Sequence, residues 1–314
     1  MILVVGATGN LGGEICRRLK AAGKPVRGLV RQTADAGKIE ALKSLGVDLA
    51  FGDLRDRASL DAACKGISAV ITTATTTLSR QPGDSIEATD QAGALNLVEA
   101  AKAAGVQHVV WSTLEDTRQW VPLEDTRMPT LMGKYKVPHF DAKGEADAFF
   151  TGSGVPATLL RTSFYWDNLV HSGMGPKPGP DGTLAIAMPM GNAKLPGIAA
   201  EDIGRCAFGV FCRGGELAGK SVGIAGGHLT GSEMASALGK ALGEEVAYSY
   251  VPPEVYRTFG FPGADDLANM FQFKRDFERE FCGLRDLATS RSLNPELQTF
   301  EAWLAANAAK IPRG

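Results

Sequence analysis

Ile2-Leu3-Val4-Val5-Gly6-Ala7-Thr8-Gly9-Asn10-Leu11-Gly12 opens the chain: four apolar residues of strand character run into a glycine-rich turn and on into a helix. In a dinucleotide-binding turn the first glycine bends the chain sharply off the strand. The second lets backbone N–H groups approach the pyrophosphate, and the third lets helix and strand pack closely. Gly6, Gly9 and Gly12 hold those places, with Thr8, Asn10 and Leu11 between them. Leu11, Ile15 and Leu19 mark the buried stripe of the helix that follows. Its N-terminus supplies unpaired donors and the positive end of the helix dipole. Gly6, Thr8, Gly9, Asn10, Leu11 and Gly12 are therefore expected to cradle a dinucleotide.

Strand-like and helix-like segments alternate outward from this turn. Strands are expected at 26–31, 48–51, 69–73, 107–112 and 157–161, and helices at 38–45, 59–64, 93–104 and 139–150. This is the rhythm of an α/β fold with a doubly wound parallel sheet, of Rossmann type. Beyond Phe164 the texture changes to a Gly/Pro-rich stretch at 173–182, then shorter elements with helices expected at 201–212, 232–242, 265–281 and 296–306. The expected division is 1–163 as the NAD(P)-binding domain and 164–314 as a smaller C-terminal α/β substrate lobe, some segments of which return to the sheet.

The chain has 314 residues, 44% of them hydrophobic, enough to bury a full core. With 33 basic and 35 acidic residues the formal net charge is -2, and no block of like charge offers a footprint for nucleic acid or an anionic membrane. The partners expected are a small molecule and, as a homodimer, another copy of the chain. Five scattered cysteines without C-x-x-C spacing, no apolar run of spanning length and no basic leader ahead of an apolar run point to a reduced, cytoplasmic compartment. No histidine has a partner at metal-ligand spacing, so no metal is expected.

The end of the second strand decides between cofactors, since an acidic residue there binds the ribose 2′-OH and a basic one accepts a 2′-phosphate. Arg31 holds that place and Lys38 follows, which favours NADP(H) over NAD(H); the alternative is a solvated strand-end arginine. Asp53, after the third strand, is placed to meet the adenine edge or to serve a turn or helix cap. The run Thr72-Thr73-Ala74-Thr75 ends the fourth strand with small side chains, Thr73 among them, suited to grazing a ribose.

Ligands of such sheets bind beyond the carboxyl ends of the strands, where Ser112 and Thr113 stand. Downstream, His139 and Lys143 lie one helical turn apart and project from one face. The usual short-chain dehydrogenase pair at this place is Tyr-x-x-x-Lys, in which the tyrosine protonates the carbonyl. None of the five tyrosines here stands four residues ahead of a lysine. Lys143 can hold the nicotinamide ribose and steady a developing oxyanion, while His139 is either a proton donor or an ordinary helix residue. Phe164, Tyr165 and Trp166 with Asn168 pack a core or offer a stacking surface for a flat aromatic ligand, over which Trp120 and Arg118 of a long loop would close.

The whole chain resembles the NmrA-like family of atypical short-chain dehydrogenases, through Gly6-Ala7-Thr8-Gly9-Asn10-Leu11-Gly12, Val110-Trp111-Ser112, Lys136-Val137-Pro138-His139-Phe140-Asp141-Ala142-Lys143 and Arg291-Ser292-Leu293-Asn294-Pro295. The resemblance implies a Rossmann domain with a smaller substrate lobe, NADP binding, and His139 with Lys143 in place of the Tyr-x-x-x-Lys pair. The family contains both reductases of quinones, dyes or aromatic natural products and NADP(H)-sensing regulators. The expected function is an NADPH-dependent oxidoreductase transferring hydride to a planar aromatic or quinone-like substrate, with Lys143, His139, Ser112 and Thr113 as catalytic residues. A non-catalytic NADP(H)-sensing regulator is the alternative.

Overall fold

The computed structural model describes residues 1–73, 91–179 and 181–313, so Ala74 and Thr75 of the expected ribose surface lie outside the described residues. The chain divides into two compact units. One comprises Met1–Asp116, His139–Arg161 and Ile203–Val222, and the other Thr117–Pro138, Thr162–Asp202 and Gly223–Gly314.

The first unit is built on β1 (Ile2–Val5), β2 (Val26–Val30), β3 (Asp48–Phe51), β4 (Ala69–Thr72), β5 (His108–Thr113) and β6 (Ala157–Arg161), which lie in the order β3-β2-β1-β4-β5-β6 with every neighbouring pair parallel. A short β11 (Ser221–Gly223) adds to the edge beside β6. All four residues of β1, all four of β4 and all six of β5 are buried, the pattern of parallel strands covered on both faces. Helices α1 (Asn10–Ala21), α2 (Ala36–Ser44), α3 (Arg57–Ala63), α4 (Ala92–Ala103) and α5 (Pro138–Gly152) make the crossovers. Leu3, Val70, Leu97, Val109, Trp111 and Phe150 belong to one core cluster.

The start points follow from caps: the Asp35 side chain accepts from the Lys38 N–H at the head of α2, and Asp56 accepts from Ala58 and Ser59 at the head of α3. A long helical stretch, α7 (Ala200–Leu217), kinked at Gly214, contributes residues from Ile203 on to this unit. Its approach to α1 depends on Gly204, where a Cβ would come within 2.9 Å of the Glu14 side chain. Buried Glu14 in turn takes Arg17 at 2.7 Å and Arg18 at 2.8 Å.

The second unit holds two three-stranded sheets. One joins β7 (Phe164–Tyr165), β10 (Leu195–Ile198) and β12 (Gly227–Leu229), and the other β8 (Lys177–Pro178), β9 (Leu184–Met188) and β13 (Val246–Tyr250). Its helices include α8 (Gly231–Leu242), which opens on a reciprocal Thr230–Glu233 capping box. The helix expected over 265–281 is two, α10 (Ala264–Asp276) and α11 (Glu278–Gly283). Phe277 leaves helical geometry between them (φ -119°, ψ 36°), and the rings of both Phe277 and Phe281 lie against Phe273.

The last helix, α13 (Phe300–Asn307), starts four residues later than the spacing predicts. The backbone N–H groups of Glu296 and Gln298 are spent on Asn294 and Asp202, and Thr299 then caps the helix. Among the elements that the sequence did not anticipate is α12 (Leu287–Leu293), capped by Asp286.

Candidate functional site

Gly6 has φ +85°, a conformation that favours glycine, and carries the chain off β1. The Gly9 N–H closes the turn on the Gly6 carbonyl at 2.9 Å. A Cβ on Gly12 would fall 2.1 Å from that same carbonyl oxygen, so only glycine lets the first turn of α1 sit against the turn that leaves β1. Gly9 is the N-cap of α1, no side chain caps it, and the first turn carries no acidic residue. The donors at this N-terminus are thus left for a ligand, and the dipole end is not neutralised by a carboxylate. Thr8 and Leu11 are half-buried, while Gly9 and Asn10 are exposed. The turn lies where strand order reverses, between β1 with its β2 side and β4 with its β5 side.

Arg31 is the exposed residue directly after β2. Asp53 ends up in a turn of its own. Its Oδ1 accepts from the Arg55 N–H at 2.9 Å and Nε at 3.1 Å, and its carbonyl accepts from the Asp56 N–H. Burial acts to raise the Asp53 carboxyl, but the Arg55 hydrogen bonds together with the Arg55 and Arg31 charges hold it below the ordinary range. Thr73 is buried, its N–H and hydroxyl both donating to the Val5 carbonyl, at 3.2 and 3.4 Å. It thereby ties the end of β4 to the end of β1.

Lys143, Ser112 and Thr113 come together at the end of β5. Lys143 is 3% exposed and its Nζ donates to the Ser112 carbonyl at 3.1 Å, while the Thr113 hydroxyl donates to the Lys143 carbonyl at 3.3 Å. Gly144 allows this approach of α5, since a Cβ there would meet the Asp116 backbone at 2.5 Å. His139, one turn earlier on α5, is half-buried with its ring edge-on to Phe140.

Sequence reasoning passed over four neighbours of this group. Trp111 Nε1 donates to Asp147 Oδ1 at 2.9 Å, and Arg161 lies 3.5 Å from Asp147 and 3.9 Å from Glu115. The spacing Lys143 to Asp147 repeats that of His139 to Lys143 and was the available signal. Trp111, inside a fully buried strand, entered only as part of the Val110-Trp111-Ser112 stretch.

The aromatic group is placed in the second unit. Trp166 is 1% exposed, with Phe300 and Trp303 at centroid distances of 5.2 and 6.3 Å. Gly197 and Gly226 leave room for its indole, as a Cβ on either would reach within 3 Å of it. Core packing accounts for that burial. Phe164 is buried beside Phe271, half-buried Tyr165 shares a hydroxyl contact with Thr162 at 3.4 Å, and Asn168 Oδ1 accepts from Ser172. Trp120 is half-buried, edge-on to Phe273.

The loop that carries Trp120 is pinned along its length. Asn269 Nδ2 donates to the Pro129 and Lys136 carbonyls, Gln272 Nε2 to the Arg127 carbonyl, and Lys136 Nζ to the Asp125 and Met128 carbonyls. Of the other histidines, His108 bonds Thr158 and His228 bonds the Arg285 carbonyl, and burial lowers the affinity of both for a proton. Among the described residues no helix is long and apolar enough to cross a membrane.

A parallel sheet in the order β3-β2-β1-β4-β5-β6, with a glycine turn at its switch point, defines a Rossmann-type dinucleotide fold. Residues 1–304 match the NmrA-like family, and the chain belongs to it. It is 31% identical to an NAD(P)H azoreductase of Xenophilus azovorans over 203 residues, which cover 65% of this chain and 60% of that protein. Across the curated relatives compared, the matched stretch spans 32 to 62% of the relative's own length.

Among solved structures, the negative transcriptional regulator NmrA in complex with NADP superposes with a TM-score of 0.78 at 24% identity, covering 97% of this chain and 94% of that one. The Citrobacter sp. triphenylmethane reductase complexed with NADP(H) gives 0.74 at 20% identity, over 98% and 99%. Both share the fold.

Proposed function

We propose that the chain is an NADPH-dependent reductase of planar aromatic acceptors, dyes and quinones among them. The observation that carries this reading is the pairing, within one unit, of an uncapped, carboxylate-free α1 N-terminus at Gly9 with Lys143 held at the end of β5. The named activities of the azoreductase and the triphenylmethane reductase support the acceptor class. Gly6 to Gly12 and the N-terminus of α1 would hold the pyrophosphate, Arg31 the 2′-phosphate and Lys143 the nicotinamide ribose. NADPH, when bound, supplies a hydride. Lys143 places a fixed ammonium where negative charge develops on the acceptor, a charge the buried site need not reorganise to meet. The His139 ring N–H delivers the proton that completes reduction, and Ser112 and Thr113 hold Lys143 in place through their backbone and hydroxyl contacts.

The competing reading is an NADP(H)-sensing regulator, favoured by the absence of a tyrosine four residues ahead of Lys143. Following NADPH absorbance with an azo dye, a triphenylmethane dye and menadione separates the two. The reductase oxidises NADPH with at least one of these acceptors. In it, Lys143→Ala lowers turnover on the order of 100-fold or more and also weakens NADPH binding. No oxidation across the panel, together with strong NADPH-dependent protection from protease, would establish the regulator instead.

A further inference from the structure

We propose that Trp111 and Asp147 are positioning residues for Lys143: the indole face seats the ammonium, and Asp147 holds the indole by its N–H. This assignment rests on the reading that Lys143 acts in the reductase, but its geometry stands on its own. Lys143 Nζ lies 5.4 Å from the centroid of the Trp111 ring, within the ~6 Å over which a cation is drawn to an aromatic face. The indole cannot drift. β5 fixes its backbone between Thr72 of β4 and Leu159 of β6, and Phe150 stacks on it at 4.5 Å and 22°. The Nε1–H is locked to Asp147 Oδ1 at 2.9 Å.

Lys143, Asp147 and Phe150 all project from α5, so one helix face and one strand residue build the whole seat. A buried indole N–H needs an acceptor, yet a neutral acceptor would satisfy it. A carboxylate here adds charge beneath the ammonium and a proton that can come and go. The groups facing Asp147 are Lys143 from α5, Trp111 and Thr113 from β5, and Arg161 from β6, with Glu115 3.9 Å from Arg161. Burial pushes the Asp147 carboxyl up to about 6, against the Thr113 and Trp111 hydrogen bonds and the Arg161 and Lys143 charges. The charge of the seat is therefore expected to change near pH 6.

The test is NMR of the full chain with labelled tryptophan and lysine, which has only four indole N–H signals to resolve. Trp111→Phe assigns the Trp111 signal by its loss, and Lys143→Arg assigns the Lys143 ε-methylene. The Trp111 N–H should shift with a midpoint near pH 6, the Lys143 ε-protons should lie upfield under the indole ring current and follow the same midpoint, and Asp147→Asn should abolish both titrations. In NADPH titrations of the wild type a step in affinity appears at the same pH and is missing from Asp147→Asn.

A Trp111 signal flat between pH 5 and 8, or Lys143 ε-protons indifferent to Asp147→Asn in a folded variant, overturns the seat. Because the wild-type titration follows all four indole signals at once, four flat signals between pH 5 and 8 overturn the seat even where a substitution misfolds. If the seat behaves as stated while Lys143→Ala binds NADPH like the wild type, the positioning survives and the reductase reading of Lys143 fails.

Discussion

Arg31 is one residue whose worth is measured by difference. If it meets a 2′-phosphate, Arg31→Ala weakens NADPH by roughly 1.5–3 kcal/mol, the value of a hydrogen bond to a charged group, and leaves NADH nearly unchanged. Calorimetric titration of both cofactors checks this, and equal losses would remove Arg31 from the site. Trp166 calls for a different measurement. It is buried against Phe300 and Trp303 in the second unit, so Trp166→Ala is expected to cost about 3–5 kcal/mol of stability, read by denaturant unfolding.

The contrast shows where single residues were legible. Gly6 and Gly12 announce themselves because a positive φ at one and the close approach of α1 at the other restrict those places to glycine. Aromatics carry no such restriction: Phe164, Tyr165 and Trp166 read equally as core or as ligand surface, and burial places Phe164 and Trp166 inside. Asp53 accepts two hydrogen bonds from Arg55 within its turn.

Along α5 the consequential group is Asp147. Its carboxyl, raised to about 6 from 3.8 chiefly by burial, binds its proton more tightly folded than unfolded. Its contribution to stability is therefore fully present below about 3.8 and is lost as pH rises through about 6. Between pH 7 and pH 5 the wild type should gain stability relative to Asp147→Asn, by about 1.3 kcal/mol. Thermal unfolding of both proteins across that range decides it; a constant offset would contradict the shift.

The loop at 117–138 carries the second element-scale expectation. Asn269→Leu removes the donor that the Pro129 and Lys136 carbonyls share, at roughly 1–3 kcal/mol for the buried Lys136 group. Limited proteolysis should then cut within 117–138 sooner than in the wild type. Sequence patterns gave these elements unevenly. Caps and hydrophobic stripes located the strands and helices of the first unit to within a few residues. The late start of α13 was hidden because Asp202, far back in the chain, takes the Gln298 N–H, a contact that no local pattern displays.

For the molecule as a whole, a doubly wound parallel sheet was readable from the glycine turn and the alternation of strands and helices, whereas the two small sheets of the second unit, with strands of two to five residues, left no periodic trace. Ligand linkage offers a global check: NADPH at 100 times its dissociation constant should stabilise the native state by about 2.7 kcal/mol, seen as a rise in unfolding temperature. Equimolar NADH should give a smaller rise.

Asp202, fully buried near the start of α7, is satisfied by Asn294 at 2.9 Å and by the Gln298 N–H at 2.9 Å, partners more than ninety positions further along. During translation the ribosome delivers Asp202 long before either partner exists. A carboxylate that must wait for residue 298 cannot be buried early without leaving it unsatisfied. The second unit is thus expected to close only after its last segment has cleared the exit tunnel. Ribosome-bound chains stalled just short of Asn294 should show it protease-sensitive while residues 1–116 of the first unit are already gathering, and a chaperone that shields exposed apolar surface would find its client in that interval.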